Sequence, residues 1–269
     1  MSFKINFCGK SEVGKVRQNN EDNFIVDNAL SLAIVADGMG GHKSGEIASS
    51  MAVKIALEKY SQLTEAQMKP SPYDSRYSME TNRLIFAVNI ANAMIYETSR
   101  AKEENKGMGT TLTACVCHGN LLSLVHIGDS RAYLFRENSL FQVSNDHSLV
   151  MEQFRKGLIT REQAENSPLQ NVLIKALGTQ NMIEAEVSET SLKEGDRVLM
   201  CTDGLFKCVK ENRIMEILKE KKNSEEAIKI MMKEAYEGGA PDNVTIVIGE
   251  TAKLEFKERV KGFMRKLGI

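Results

Sequence analysis

No apolar run in these 269 residues approaches the roughly 20 needed to span a bilayer. The opening MSFKINFCGK lacks the apolar stretch of a secretory signal, so neither a membrane span nor an exported precursor is expected. An excess of one charge is missing too: 35 Lys and Arg face 36 Asp and Glu, a formal net charge of −1. Nothing global then draws the chain to nucleic acid or to a membrane, and an anionic substrate has to be gripped by local chemistry. The cysteines Cys8, Cys115, Cys117, Cys201 and Cys208 are scattered and odd in number, which argues against a disulfide framework. Internal repeats and low-complexity tracts are absent. What remains is an ordinary globular composition, 42% hydrophobic and 26% charged, in a chain long enough for a well-buried core. The expectation is a cytoplasmic protein with reduced thiols.

Hydrophobic patterning supplies the elements. Ser31 to Ala36 (SLAIVA) reads as a short buried strand ended by the turn-forming DGMGG, with a helix from about Ser44 to Tyr60 after it. Ser61 to Met79, with Pro70 and Pro72, reads as a loop, and Leu84, Val88, Ala91 and Ile95 give a helix between Glu80 and Asn105. Thr110 to Cys117, Leu121 to Gly128, Arg131 to Phe135 and Ser139 to Val143 form a run of strands. The breaks His118-Gly119-Asn120 and Glu137-Asn138 suggest antiparallel hairpins. Thr160-Arg-Glu-Gln163 fits a capping box. A strand at Arg197 to Thr202, helices at Glu211 to Lys221 and Ser224 to Tyr236, and a strand at Val244 to Gly249 complete the pattern. Strands in runs and helices in runs predict an α+β fold of two stacked antiparallel β-sheets flanked by helices.

The aspartates stand where the strands end. Asp37 follows LAIVA, Asp129 follows LSLVHIG, Asp203 follows VLMCT and Asp242 precedes VTIVIG. One such residue alone is ordinarily a turn or cap. Four together, if the strand ends meet at one edge, crowd carboxylates that repel one another unless a cation neutralises them. All-oxygen ligands suit hard, octahedral Mg²⁺ or Mn²⁺. Arg17, four residues before Glu21-Asp22, is either half of a solvated surface pair or a bidentate phosphate clamp beside a metal that those acids support through water.

Taken in order, Val13-Gly-Lys-Val-Arg17-Gln-Asn-Asn-Glu21-Asp22, Asp37-Gly-Met-Gly-Gly-His42 with Gly45-Glu46, Gly109-Thr-Thr, Gly128-Asp129-Ser-Arg131, Asn171-Val-Leu-Ile-Lys-Ala-Leu-Gly178, Thr202-Asp203-Gly204 and Asp242-Asn243 resemble the type 2C metal-dependent protein phosphatases, compact bacterial branch. The resemblance covers roughly residues 5 to 250. It implies hydrolysis of phosphoserine and phosphothreonine by metal-activated water at a two-ion Mn²⁺ or Mg²⁺ centre. Asp37 would bridge the ions, Asp203 and Asp242 would ligate the first, and the Gly38 carbonyl the second. Glu21 and Asp22 would act through water, Arg17 would contact the substrate phosphate, and Asp129 with Asp203 would hold a weaker third ion. Partners by the same resemblance are phosphorylated proteins, including a Ser/Thr kinase or its substrates. Residues from about 147 to 176 correspond to a flap beside the site. Met39 stands where animal relatives carry a histidine proposed as general acid, so that role is not carried over.

Other features read as structural. Asp37-Gly-Met-Gly-Gly-His-Lys43 fails the dinucleotide pattern because Lys43 takes the third glycine position. Cys115 and Cys117 alternate along an apolar strand and read as core, and His126 and His147 as packing residues. The segment 251–269, with Leu254, Phe256, Val260, Phe263, Met264 and Leu267 among basic residues, reads as an amphipathic tail. Docking on the domain or another subunit is its first reading, weak membrane or partner binding the second.

Overall fold

The computed structural model describes residues 3–40 and 44–253. The strands are β1 (Phe3–Glu12), β2 (Asp22–Asp27), β3 (Leu32–Met39), β4 (Gly109–Thr110), β5 (Leu112–His118), β6 (Leu121–Ile127), β7 (Arg131–Arg136), β8 (Ser139–Gln142), β9 (Glu186–Ser191), β10 (Arg197–Cys201) and β11 (Val244–Lys253). The helices are α1 (Ser44–Glu65), α2 (Met79–Ala101), α3 (Leu149–Arg155), α4 (Arg161–Glu165), α5 (Asp203–Phe206), α6 (Glu211–Glu220) and α7 (Ser224–Glu237). One sheet runs β1-β11-β10-β7-β8 and the other β2-β3-β5-β6-β9, with β4 on the end of β3. Every pairing described is antiparallel.

Side-chain alternation assigns the layers. Ala33 and Val35 of β3 face inward to meet Val198 and Met200 of β10, together with Ile5, Phe7, Cys115 and Val247. Leu32, Ile34 and Ala36 face the other way, onto the alanine-lined side of α1 (Ala48, Ala52, Ala56) and onto Leu84, Val88 and Ile95 of α2. On the opposite flank Leu199, Cys201, Ile246 and Ile248 pack under Ile214 and Ile217 of α6 and Met231 of α7. The small residues of α1 let it lie close on the sheet, and the period of two gives each central strand two buried faces. The result is the expected sandwich of helix, sheet, sheet and helix.

The two expected hairpins form, β5 with β6 and β7 with β8, and the Thr160–Gln163 capping box is present. Two local expectations are corrected. β3 continues through Asp37-Gly38 to Met39 rather than turning, because Gly38 and Met39 pair with Thr110 and Gly109. α1 runs on to Glu65, drawn by burial of Leu63. β6 and β7 lie in different sheets, with Gly128-Asp129-Ser130 carrying the chain from one to the other. β1, β2, β9 and the one-turn α5 were not expected. The cysteines are free thiols, as anticipated. β11 reaches Lys253, past the expected domain edge, and the tail from 254 lies outside the described residues, as does His42.

Two glycines fix how closely the elements approach at the aspartate-rich end. A Cβ on Gly38 would enter the Gly45 carbonyl, and one on Gly204 would enter the Asn243 carbonyl. In both cases the obstacle is backbone, which cannot swing aside. Gly204→Ala should therefore destabilise the fold by about 1–3 kcal/mol, the usual cost of overpacking, in urea unfolding monitored by circular dichroism. An unchanged midpoint would mean that the α5–β11 contact is looser than described.

Candidate metal centre

Antiparallel pairing decides which strand ends share an edge. Asp22 at the start of β2 is the register partner of Asp37 near the end of β3. Cys201, last in β10, pairs with Ile246 in the first turns of β11, so Asp203 and Asp242 leave the other sheet side by side. Asp129 follows β6 at the crossover between the sheets. The four strand-end aspartates and Asp22 thus gather at one end of the sandwich.

Their surroundings are built from the chain's own polar groups. Asp22 is 5% exposed, and its Oδ2 accepts from Thr202 Oγ1 at 2.8 Å and Thr245 Oγ1 at 2.6 Å. The Asp37 backbone is clamped, its N–H donating to Thr111 Oγ1 (2.9 Å) and its carbonyl accepting from Thr111 N (2.8 Å) and Thr110 Oγ1 (2.9 Å). Asn243 ties the Arg17 loop to β11. Its Nδ2 donates to the Val13 and Asn19 carbonyls, each at 2.9 Å, and its Oδ1 accepts from Glu21 N at 2.8 Å. The Glu21 carbonyl in turn accepts from Gly38 N and from Ser49 Oγ. The Glu21 carboxylate packs against Gly45 at the start of α1. His147 Nδ1 accepts from Gly128 N at 3.1 Å and so steadies the crossover before Asp129. Arg131 clasps Asp146 through Nε and Nη2 and lies 3.8 Å over the Phe206 ring of α5.

The electrostatics are those of acids forced together. Loss of water pushes the Asp22 carboxyl up to about 7, with the charges of Asp203 and Asp242 adding to the rise. Desolvation likewise lifts Asp129 to about 7, aided by Asp203. Asp37 is pushed well above the usual carboxylate range by desolvation and by Asp22, Asp203, Asp129 and Asp242 together. Arg17 does not sit as a surface pair with Glu21. Its Nη2 donates to Asp242 Oδ2 at 2.8 Å, which raises the guanidinium pKa. Lys207, from the turn after α5, donates to Asp203 Oδ2 and to Asn171 Oδ1.

These residues suit a hard cation. Among the described residues no three acid, histidine or cysteine side chains enclose one point as they stand, because bases and hydroxyls hold the carboxylates individually. Yet Asp203 Oδ1 is buried and accepts no hydrogen bond. A buried orphan acceptor costs about 1–3 kcal/mol, more when charged, and a divalent ion would supply its missing partner. The donors are all oxygens, the chemistry that Mg²⁺ and Mn²⁺ select.

The protein phosphatase 2C profile matches residues 9–236. The chain belongs to the protein phosphatase 2C family. It is a metal-dependent phosphatase of proteins, and it uses Mn²⁺ or Mg²⁺. The serine/threonine phosphatase stp of Listeria welshimeri is 33% identical over 244 residues, 90% of this chain and 94% of its own length. The crystal structure of the Mycobacterium tuberculosis serine/threonine phosphatase PstP superposes with a TM-score of 0.80 at 34% identity, covering 91% of this chain and 98% of that one. A crystal structure of the PstP catalytic domain in complex with two manganese ions superposes with a TM-score of 0.78 at 33% identity, covering 94% of this chain and all of that one.

Every acid named from sequence lies at this end. Sequence reasoning missed Asn243, Thr202 and Thr245 as supports and Lys207 as a base among the acids. Asn243 and Thr202 stand in the motifs Asp242-Asn243 and Thr202-Asp203-Gly204, and that was their signal. A pH effect follows for this phosphatase. Asp22 and Asp129 have folded-state pKa values near 7 against an ordinary 3.8. With pKa raised on folding, the stability they contribute is full below about 3.8 and lost as pH climbs through about 7. The melting temperature in chelator should therefore fall as pH rises from 5 to 8. Saturating Mn²⁺ should flatten or reverse that fall, because the ion binds the ionised, folded form. Parallel slopes with and without Mn²⁺ in scanning fluorimetry would contradict this.

Proposed function

We propose that the enzyme hydrolyses phosphoserine and phosphothreonine in proteins with Asp37 shared between two ions, Asp203 and Asp242 holding one of them and the Gly38 carbonyl the other. Glu21 and Asp22 act through ordered water, and Arg17 grips the phosphate. The observation that carries this reading is the buried, unpartnered Asp203 Oδ1 amid crowded carboxylates, beside an arginine whose side chain is 53% exposed. When bound, two Mn²⁺ or Mg²⁺ ions would supply a water of lowered pKa and Lewis-acid stabilisation of the phosphoryl oxygens.

The chain's own groups do the rest. Arg17 exchanges Asp242 for the phosphate, which its planar fork can hold with two parallel hydrogen bonds. Asn243 keeps the Arg17 loop and Glu21 at a fixed distance from Asp242. Thr202 and Thr245 orient the Asp22 carboxylate. Cys115 and Cys201 are buried, with thiols held far from ionisation by desolvation, and the reading needs no cysteine nucleophile. No phosphoenzyme forms.

The wider setting belongs to the same proposal. A phosphatase of this kind opposes a Ser/Thr protein kinase, acting on the kinase or its substrates. Among the described residues no helix is long and apolar enough to cross a membrane. With five free thiols, that supports work in the cytoplasm. The phosphatase domain extends over about residues 1–253, through the end of β11, residues 147–176 act as its flap, and the tail beyond it serves docking.

Asp37→Ala or Asp203→Ala should lower Mn²⁺-dependent hydrolysis of para-nitrophenyl phosphate at least about a thousandfold, roughly 4 kcal/mol of barrier. Metal-free Asp37→Ala should melt no lower than wild type, since it removes a carboxyl that burial and four neighbouring aspartates disfavour. Asp203→Ala also strips Lys207 of its partner, so its melting temperature is no test of the ligand role. Turnover near wild type in either variant would sink the ligand assignment. Arg17→Ala should raise KM for a phosphopeptide about tenfold or more with a smaller change in kcat, and Arg17→Lys should recover only part. An unaltered KM would place Arg17 outside the substrate site.

A further inference from the structure

The resemblance to relatives implies a weaker third ion at Asp129 and Asp203, but the structure puts a lysine there. The Lys207 ammonium donates to Asp203 Oδ2 and, at 2.7 Å, to Asn171 Oδ1 in the flap. We propose that Lys207 is a built-in cation that takes the place of the third divalent ion, neutralising Asp203 and tethering the flap through Asn171, so that this enzyme works with two ions.

Two observations converge on it. Lys207 lies one turn after Asp203, so the short α5 fixes its stem and delivers the ammonium to the outer oxygen of that carboxylate. The other oxygen, Oδ1, is left without a protein partner. Asp203 is thus divided, with one oxygen served by the ammonium and the other open to an ion. Second, Asn171 is an exposed flap residue whose neighbours are held by backbone bonds to the start of the flap, Leu149 N to Val172 O and Ile174 N to His147 O, each 2.8 Å. Lys207 therefore joins the flap to a carboxylate of the metal centre. An ammonium offers three donors and a single charge without exchanging with solvent, which a weakly bound ion does.

The inference rests on the two-ion reading of Asp37, Asp203 and Asp242, and the experiment separates the two. Mn²⁺ is titrated calorimetrically into wild type, Lys207→Asp, and Lys207→Asp with Asp129→Asn. Wild type should bind two ions, Lys207→Asp should show a third and weaker event, and the double variant should lose that event again. Failure of wild type to bind two ions would overturn the two-ion reading itself. Three ions in wild type, or only two in Lys207→Asp, would overturn the role of Lys207 alone. Lys207→Met keeps the aliphatic stem and guards against misfolding of the aspartate variant. In it, as in Asn171→Ala, tryptic cleavage after Arg155, Lys156 or Arg161 should quicken severalfold, and unchanged cleavage in both would disprove the tether.

Discussion

Carboxylates that share a small, poorly hydrated volume repel one another, and each also resists losing its water. At one end of this sandwich five aspartates meet under that constraint, enough to lift three of them far above their ordinary pKa. A stable protein keeps such an arrangement only if something positive completes it. The sequence responds on two levels. Arg17 and Lys207 each take one carboxylate oxygen, and Asp203 Oδ1 stays open. Under the proposed assignment, the open oxygen in a nest of acids would make the site a receptor for divalent ions rather than a closed ion-pair network, and bound ions would supply the positive charge that a dianionic phosphate needs.

The fold exists to bring those ends together. Acids from β2 and β3 belong to one sheet and those from β10 and β11 to the other, and only the stacking of the sheets makes them neighbours. Glycines 38 and 204 permit the approach, and Asn243 and the threonines at 110, 111, 202 and 245 hold the geometry by hydrogen bonds. These groups act through the acids they hold, and on the proposed reading loss of one would shift a ligand by the small distances that separate binding from catalysis.

The sheets and the acids were legible because their signals are local. SLAIVA and VTIVIG are apolar runs, and an aspartate beside each is visible without any partner. β9 was not legible: EVSETS is an edge strand with one apolar residue, and only pairing with β6 makes it a strand. β1 alternates Phe3, Ile5 and Phe7 inward, a signal that was present and passed over. The end of β3 was misjudged because Asp-Gly reads as a turn wherever the neighbouring strands cannot be seen. Arg17 offered two readings, and the partner it has here, Asp242, is remote in sequence and belongs to neither. Lys207 carried no signal at all, since a lysine on a helical turn is ordinarily solvated.

The central claim is that these acids hold two ions with Asp37 between them. Anomalous diffraction at the manganese edge, from crystals grown with Mn²⁺, tests it most directly. The account expects two strong peaks, both within bonding distance of Asp37, one also touching Asp203 and Asp242 and the other the Gly38 carbonyl. Peaks that avoid Asp37, or ions bound only at surface carboxylates, would contradict it.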